Sequence, residues 1–223
     1  MEQIEKATDL LTTKYITYAI SYDGFSRKET PTFPLAAIRE TFLNAIAHKD
    51  YFDPTPIQIS VYPDRFVCWN AGHLPEKWTL NTLLQKHPSH PYNPDIANSL
   101  FRCGDIEAWG RGFRKIIRST LDEKLLPPRI EYLSGIMLTF YADVRTQLAA
   151  EGLSEGLIPI IEYVITNGRI NNSQIQTLVK VSKTTATRIL WQLEPWVTKQ
   201  GITGKGTYYT LKGNDGGIAK NVE

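Results

Sequence analysis

"IRETFLNAIAHKDY", residues 38–51, decides how the first half of this chain is read. At about 100° per residue, Leu35, Ile38, Phe42 and Ile46 gather on one side of a helix. Glu40, Asn44 and His48 fall on the opposite side, each four residues from the last. A polar line opposite an apolar stripe ordinarily meets water. This one includes no Lys or Arg, and Ala37, Ala45 and Ala47 leave room for something to approach. Two readings stand: a solvated face, or one wall of a site.

Outward from this helix the elements alternate. Pro34 suits a first turn, so the helix is expected from there to about His48. Residues 2–20 read as an earlier helix, and 21–34, "SYDGFSRKETPTFP", as an extended, punctuated segment. "IQISVY" (57–62) and "RFVCWN" (65–70) around Pro63-Asp64 predict a hairpin. Residues 76–92 read as irregular. Asn93-Pro94 predicts a capped helix to about Cys103, and Gly112 opens another to about Leu121. "RIEYL" and "GIMLTFYA" around Ser134-Gly135 predict a closing hairpin. These elements give an α/β layer structure ending near residue 145.

After the linker "TQLAAEGLSEG" the pattern changes. Residues 157–168, 171–180 (capped by Asn172 or Ser173) and 182–196 (capped by Ser182) read as three helices, and 197–211 as two strands. That is the order of a winged helix-turn-helix, expected over residues 153–212. Residues 213–223 read as a disordered tail. From Asn167 to Lys212 the only acid is Glu194, against seven cations, a balance that suits an anionic polymer. Ala186, Ile189, Leu190 and Leu193 form the inward stripe of the third helix. Lys183, Thr184, Thr187 and Arg188 are then its candidates for contacts with double-stranded DNA, and Lys199, Lys205 and Tyr208 those of the wing. "TATRIL" and "GKGTYY" resemble the recognition helix and wing of bacterial regulators.

Composition excludes several classes. The 223 residues are 42% hydrophobic and 22% charged, with a net charge of +2, as in an ordinary globular protein that buries roughly 70% of its unfolded surface. No apolar run reaches the roughly 20 residues a membrane span needs, and no signal peptide opens the chain, so a cytoplasmic location and no membrane partner are expected. Cys68 and Cys103 lack CxxC spacing. His87, His90 and Cys103 are the one alternative metal set. No GxxxxGK[ST] occurs, so this chain holds no P-loop motor.

"FPLAAIRETFLNAIAHKDY", "YPDRFVCWNAGHLP", "NPDIANSL" and "GDIEAWGRGFRKI", in that order, resemble the bacterial family of RecG-related ATP-dependent DNA helicases and transcriptional regulators. The resemblance covers about residues 15–212. Such proteins carry a further N-terminal AlbA-like domain, so the chain is expected to be a C-terminal piece or a truncated member. Their central domain is similar to the GHKL ATPases, which implies an α+β chain whose first domain, residues 1–147, is an α/β sandwich with a mixed sheet covered by helices on one face. In those ATPases a helix supplies a Glu that activates water and an Asn four residues on that binds magnesium. Glu40 and Asn44 match that pair. Gly110, Arg111 and Gly112 match the glycine-rich segment that meets phosphate, and His48, Asn70 and Gly72 complete the implied nucleotide site. ATP and Mg2+ on Asn44 are the implied ligands. Two departures stand out: "WNAGHLP" has Trp69 or Asn70 where those ATPases place the adenine-binding Asp, and Tyr92 replaces an Arg. Asp64 is the other carboxylate that could take the part of that Asp, although Pro63-Asp64 reads as a hairpin turn.

The expected function is a DNA-binding transcriptional regulator with an ATP- or ligand-sensing domain, acting as a homodimer on two half-sites. The alternatives are an ATPase acting on DNA, with Glu40 as base, and a protein-interaction module with neither site active.

Overall fold

A computed structural model describes residues 2–84, 87–105, 112–201 and 206–212. The chain divides into two compact units, Met1–Asp143 and Val144–Glu223.

In the first unit, α1 (Glu2–Leu10) runs into a π-helical turn (Leu11–Tyr15), then β1 (Tyr18–Asp23) and β2 (Ser26–Pro31) pair as an antiparallel hairpin. The helix expected over 2–20 thus stops early. Tyr18, Ile20 and Tyr22 alternate with small and polar residues, and Gly24-Phe25, with Gly24 at a positive φ of 59°, supplies the tight turn that strand pairing requires.

After α2 (Leu35–His48) come β3 (Gln58–Val61), β4 (Arg65–Asn70), α3 (Leu80–Leu84), α4 (Pro94–Arg102), α5 (Gly112–Asp122), β5 (Arg129–Tyr132) and β6 (Ile136–Tyr141). The four-stranded sheet has the order β3-β4-β6-β5, and every pairing in it is antiparallel. The mixed sheet expected from the sequence is corrected here: both pairs of chain neighbours are hairpins, and the pair that joins them, β4 with β6, also runs antiparallel. The helices that separate β4 from β5 connect the two hairpins without introducing a parallel strand.

Burial along β4 alternates, with Phe66, Cys68 and Asn70 turned inward. Across the register Phe66 faces Phe140 and Cys68 faces Leu138. Phe33, Ile38, Phe42, Leu43 and Ile116 close over them to form one core. Burial pushes the Cys68 thiol up to about 12, which makes it a packing group and not a nucleophile.

In the second unit, α6 (Val144–Ala150) precedes α7 (Ile158–Asn167), α8 (Asn172–Val179), α9 (Lys183–Gln192), β7 (Val197–Gln200) and β8 (Tyr208–Leu211). Ile170 bridges to Tyr209 beside the β7–β8 hairpin. The cap of α8 is Asn171, one residue before the expected pair, and it forms a reciprocal capping box with Gln174. Ser182 caps α9 through Thr185 N–H. The predicted stripe of α9 packs inward, with Ala186, Ile189, Leu190 and Leu193 all buried.

Candidate functional site

The line on α2 is a wall. Glu40, which faces away from Ile38 and Phe42, is 4% exposed. A buried carboxylate needs charge balance and hydrogen bonds, and α5 supplies the cation. Lys115 Nζ lies 3.2 Å from Glu40 Oε2, and Asn44 Nδ2 donates to Glu40 Oε1 at 3.4 Å. The i, i+4 spacing brings the acid and the amide together, as a helix surface requires.

Gly112, the first residue of α5, sits against this pair. A Cβ there would fall 2.8 Å from Asn44 Oδ1, Asn44 Nδ2 and Glu40 Oε1. Glycine therefore lets the positive end of an 11-residue helix approach the acid and the amide directly. Gly110 and Arg111 lie outside the described residues.

The alternation of β4 decides between Trp69 and Asn70. Trp69 takes the other face, where its Nε1 donates to the Leu133 carbonyl at 3.2 Å. Asn70 faces the helices, 5% exposed, and its Oδ1 has no hydrogen-bond partner. Asp64 stays at the hairpin corner, ion-paired with Arg65 at 3.0 Å. At Gly72 a Cβ would meet the His48 carbonyl oxygen at 2.5 Å, so the end of β4 can pass the end of α2 only as glycine. The expected cap Asn93 does other work: its Nδ2 donates to the carbonyls of Ala47 (3.1 Å) and Lys49 (2.7 Å). With the Asn93 N–H, which also donates to the Ala47 carbonyl at 3.0 Å, it satisfies main-chain acceptors at the end of α2.

These residues enclose a cavity of about 110 Å3. Its walls include Glu40, Asn44 and His48 from α2, Asn70 from β4 and Gly112 from α5. All four histidines of the chain, His48, His73, His87 and His90, line it. Trp78 meets the His87 ring at 4.7 Å and the His90 ring at 5.8 Å, both edge to face. Among the described residues no group of three His, Cys, Asp or Glu side chains is placed to hold a metal ion, which leaves His87, His90 and Cys103 without that role. Tyr92 packs its ring 6.2 Å from that of His73.

Burial lowers the pKa of His48 below its ordinary value, and the neighbouring His87 lowers it further. The unfolded chain then binds more protons than the folded one below about pH 6.5, so stability falls as pH drops through that value. Chemical denaturation of His48→Gln at pH 7 and pH 5 is expected to show a smaller pH dependence than the parent. An unchanged slope would place the dependence elsewhere.

In the second unit Lys183, Thr184, Arg188 and Lys199 are exposed. Thr187 is half-buried and already engaged, donating to the Lys183 carbonyl and accepting from Asn172 Nδ2, each at 3.0 Å. The Tyr208 ring lies 5.4 Å from the Arg169 guanidinium. Lys205 and the tail 213–223 lie outside the described residues. Trp191, exposed on α9, is a surface aromatic.

Sequence reasoning missed Lys115, Trp78 and the inward role of His87. Lys115 had a usable signal, since it follows Gly112 by three residues and shares its helical face. The loop residues had none.

A protein-family model described as "Putative ATP-dependent DNA helicase recG C-terminal" matches residues 55–140. That span is similar to an ATPase-like domain of RecG-related proteins; it includes Asn70 and Gly112 and begins after Glu40 and Asn44. Among solved structures, the chain is similar along 100% of its length to the DIP2311 protein from Corynebacterium diphtheriae, at a TM-score of 0.61 and 19% identity. This chain spans 48% of that one, about half its length, and the likeness is one of fold. No curated protein matches. No helix among the described residues is long and apolar enough to cross a membrane.

Proposed function

We propose that the first unit is a GHKL-like domain that binds ATP and hydrolyses it at the cavity between α2, β4 and α5. The observation that carries this reading is the meeting of Glu40, Asn44 and the α5 N-terminus at Gly112. The residues fit a phosphate-bearing ligand: Gly112 brings the α5 N-terminus against the acid and the amide, where a Cβ would clash, and an unpaired amide oxygen stands at another part of the wall. Asn44 would hold a magnesium ion, whose charge would offset that of the phosphates. The Gly112 N–H and the helix dipole favour an anion at that end, and Lys115 adds a cation one turn along. Glu40 is the group able to take a proton from an attacking water as the terminal phosphorus–oxygen bond breaks. Its pairing with Lys115 and Asn44 holds the carboxylate in place until then.

Titration calorimetry with ATP and magnesium tests the reading. Millimolar or tighter binding is expected, and Gly112→Ala should weaken it about tenfold, because the added methyl displaces Asn44 and Glu40. Absence of binding at millimolar ATP would remove the proposal.

The second unit supports a further reading, a winged helix-turn-helix that binds duplex DNA. What favours it is that Lys183, Thr184 and Arg188 stand exposed on α9 while its opposite stripe is buried. Duplex affinity is expected to fall steeply with salt, and Arg188→Ala to cost about 1–3 kcal/mol if that side chain reads a base. Fluorescence anisotropy at two salt concentrations measures both. Salt-independent binding, or none, would favour a protein-interaction module. Control of transcription by nucleotide occupancy, through a homodimer, belongs to the same proposal and is tested by whether ATP alters that DNA affinity.

A further inference from the structure

Helix α9 presents one side that its own packing leaves unused. At about 100° per residue, Thr184, Arg188 and Trp191 fall within about 60° of one another, opposite the buried Ile189, Leu190 and Leu193. All three are exposed, Trp191 at 73%. The other described tryptophans are at least partly buried and engaged. Trp69 and Trp196 donate their indole N–H to Leu133 and Glu151, and Trp78 packs on His87 and His90. The Trp191 indole makes no hydrogen bond or ring contact with any described residue. In the same unit Arg169, Lys180, Lys183, Arg188 and Lys199 are exposed, against the single acid Glu194 between Asn167 and Lys212. A large bare ring on a cationic surface suits a partner that combines negative charge with flat aromatic groups, which is the chemistry of nucleic acid.

Where the indole stands along the helix narrows the partner further. A helix in the major groove contacts base edges through its N-terminal residues. Trp191 lies two turns beyond Thr184, about 10.5 Å at the helical rise, and the groove is about 12 Å wide. With Thr184 on base edges, Trp191 stands at the border of the groove, where a continuous duplex offers sugar and phosphate. The faces of paired bases are hidden by stacking on their neighbours. An indole has no charge to answer phosphate, and most of its area is in its two faces. An unpaired base at that border offers a matching face, and Arg188, one turn before Trp191, supplies a cation for its phosphate. Resting on the DNA reading of the second unit, we propose that α9 binds duplex DNA beside an unpaired nucleotide, whose base stacks on Trp191. Thr184 and Arg188 hold the duplex, and Trp191 recognises the point where it opens.

Fluorescence anisotropy on the full chain tests this with three labelled DNAs that share one duplex sequence. The first is blunt, the second is forked by a run of unpaired thymidines on each strand, and the third has abasic sugar-phosphates in place of those thymidines. The two forks carry equal charge and differ only in their bases. The thymidine fork is expected to bind about tenfold more tightly than the abasic fork, the scale of one stacked base, and the blunt duplex no more tightly than the abasic fork. In Trp191→Ala the ratio between the forks should fall to near one, and in Trp191→Phe most of it should remain. Arg188→Ala should weaken both forks and leave the ratio in place. Equal affinity of the parent protein for the two forks overturns this inference and leaves the DNA reading intact. An unchanged ratio in Trp191→Ala also overturns it. Failure of all three DNAs to bind rejects the DNA reading itself, and the inference with it, and leaves this side of α9 to a protein partner. The comparison of forks uses the parent protein, so it decides the matter whatever the variants do to folding.

Discussion

Glu40→Gln is expected to slow magnesium-dependent ATP turnover by about 10²–10⁴-fold while leaving nucleotide affinity within a few-fold. The substitution keeps the shape of the side chain and its acceptor toward Asn44 Nδ2. It removes the charge that faces Lys115 Nζ at 3.2 Å and the ability to accept a proton from water. Coupled-assay turnover and calorimetric affinity, measured on the same preparation, separate the two effects. Turnover within threefold of the parent would deny Glu40 the role of base and leave a binding site that does not hydrolyse. Loss of affinity and turnover together would point to damage of the Glu40–Asn44–Lys115 cluster, because a carboxylate and an amide differ in what they leave unpaired when buried.

The other large effect concerns the core that holds the site. Phe66→Ala should cost about 3–5 kcal/mol, seen in the unfolding transition of the first unit in urea. Phe66 is fully buried, and its ring centroid lies 6.2 Å from those of Phe33 and Phe42 and 6.0 Å from that of Phe140. Loss of the ring leaves a cavity that three rigid aromatic neighbours cannot collapse to fill. A cost below 1 kcal/mol would mean that the core repacks. Cys68 and Asn70 follow Phe66 on the same face of β4, so the variant should also loosen the cavity wall and weaken nucleotide binding.

Much of the framework was legible because its signals are local. Pro34 and the apolar spacing set α2 to within a residue of Leu35–His48, and the Pro63-Asp64 and Ser134-Gly135 turns set both hairpins. Errors fell where local signals competed. The apolar residues of 16–22 fit a helix loosely and a strand well, and the Gly24-Phe25 turn resolved Tyr18–Asp23 as β1, paired with β2. Asn93 holds the cap position of α4, as expected, yet its side chain donates to Ala47 and Lys49. A side chain's preference for a helix end does not say which helix end claims it.

The amino-acid order by itself determined which residues share a face: Glu40 with Asn44 by helical period, and Phe66, Cys68 and Asn70 by strand period. It could not determine what that face meets, since a polar line four residues apart looks the same under water as under another helix. Tertiary structure decided that. Packing of α5 against α2 placed Gly112 and Lys115 on Glu40, and pairing of β4 with β6 turned Asn70 toward the cavity lined by His87. The physical reason is that periodicity is a property of adjacent backbone dihedrals, whereas burial, ion pairing and an unanswered hydrogen bond arise between segments far apart in the chain.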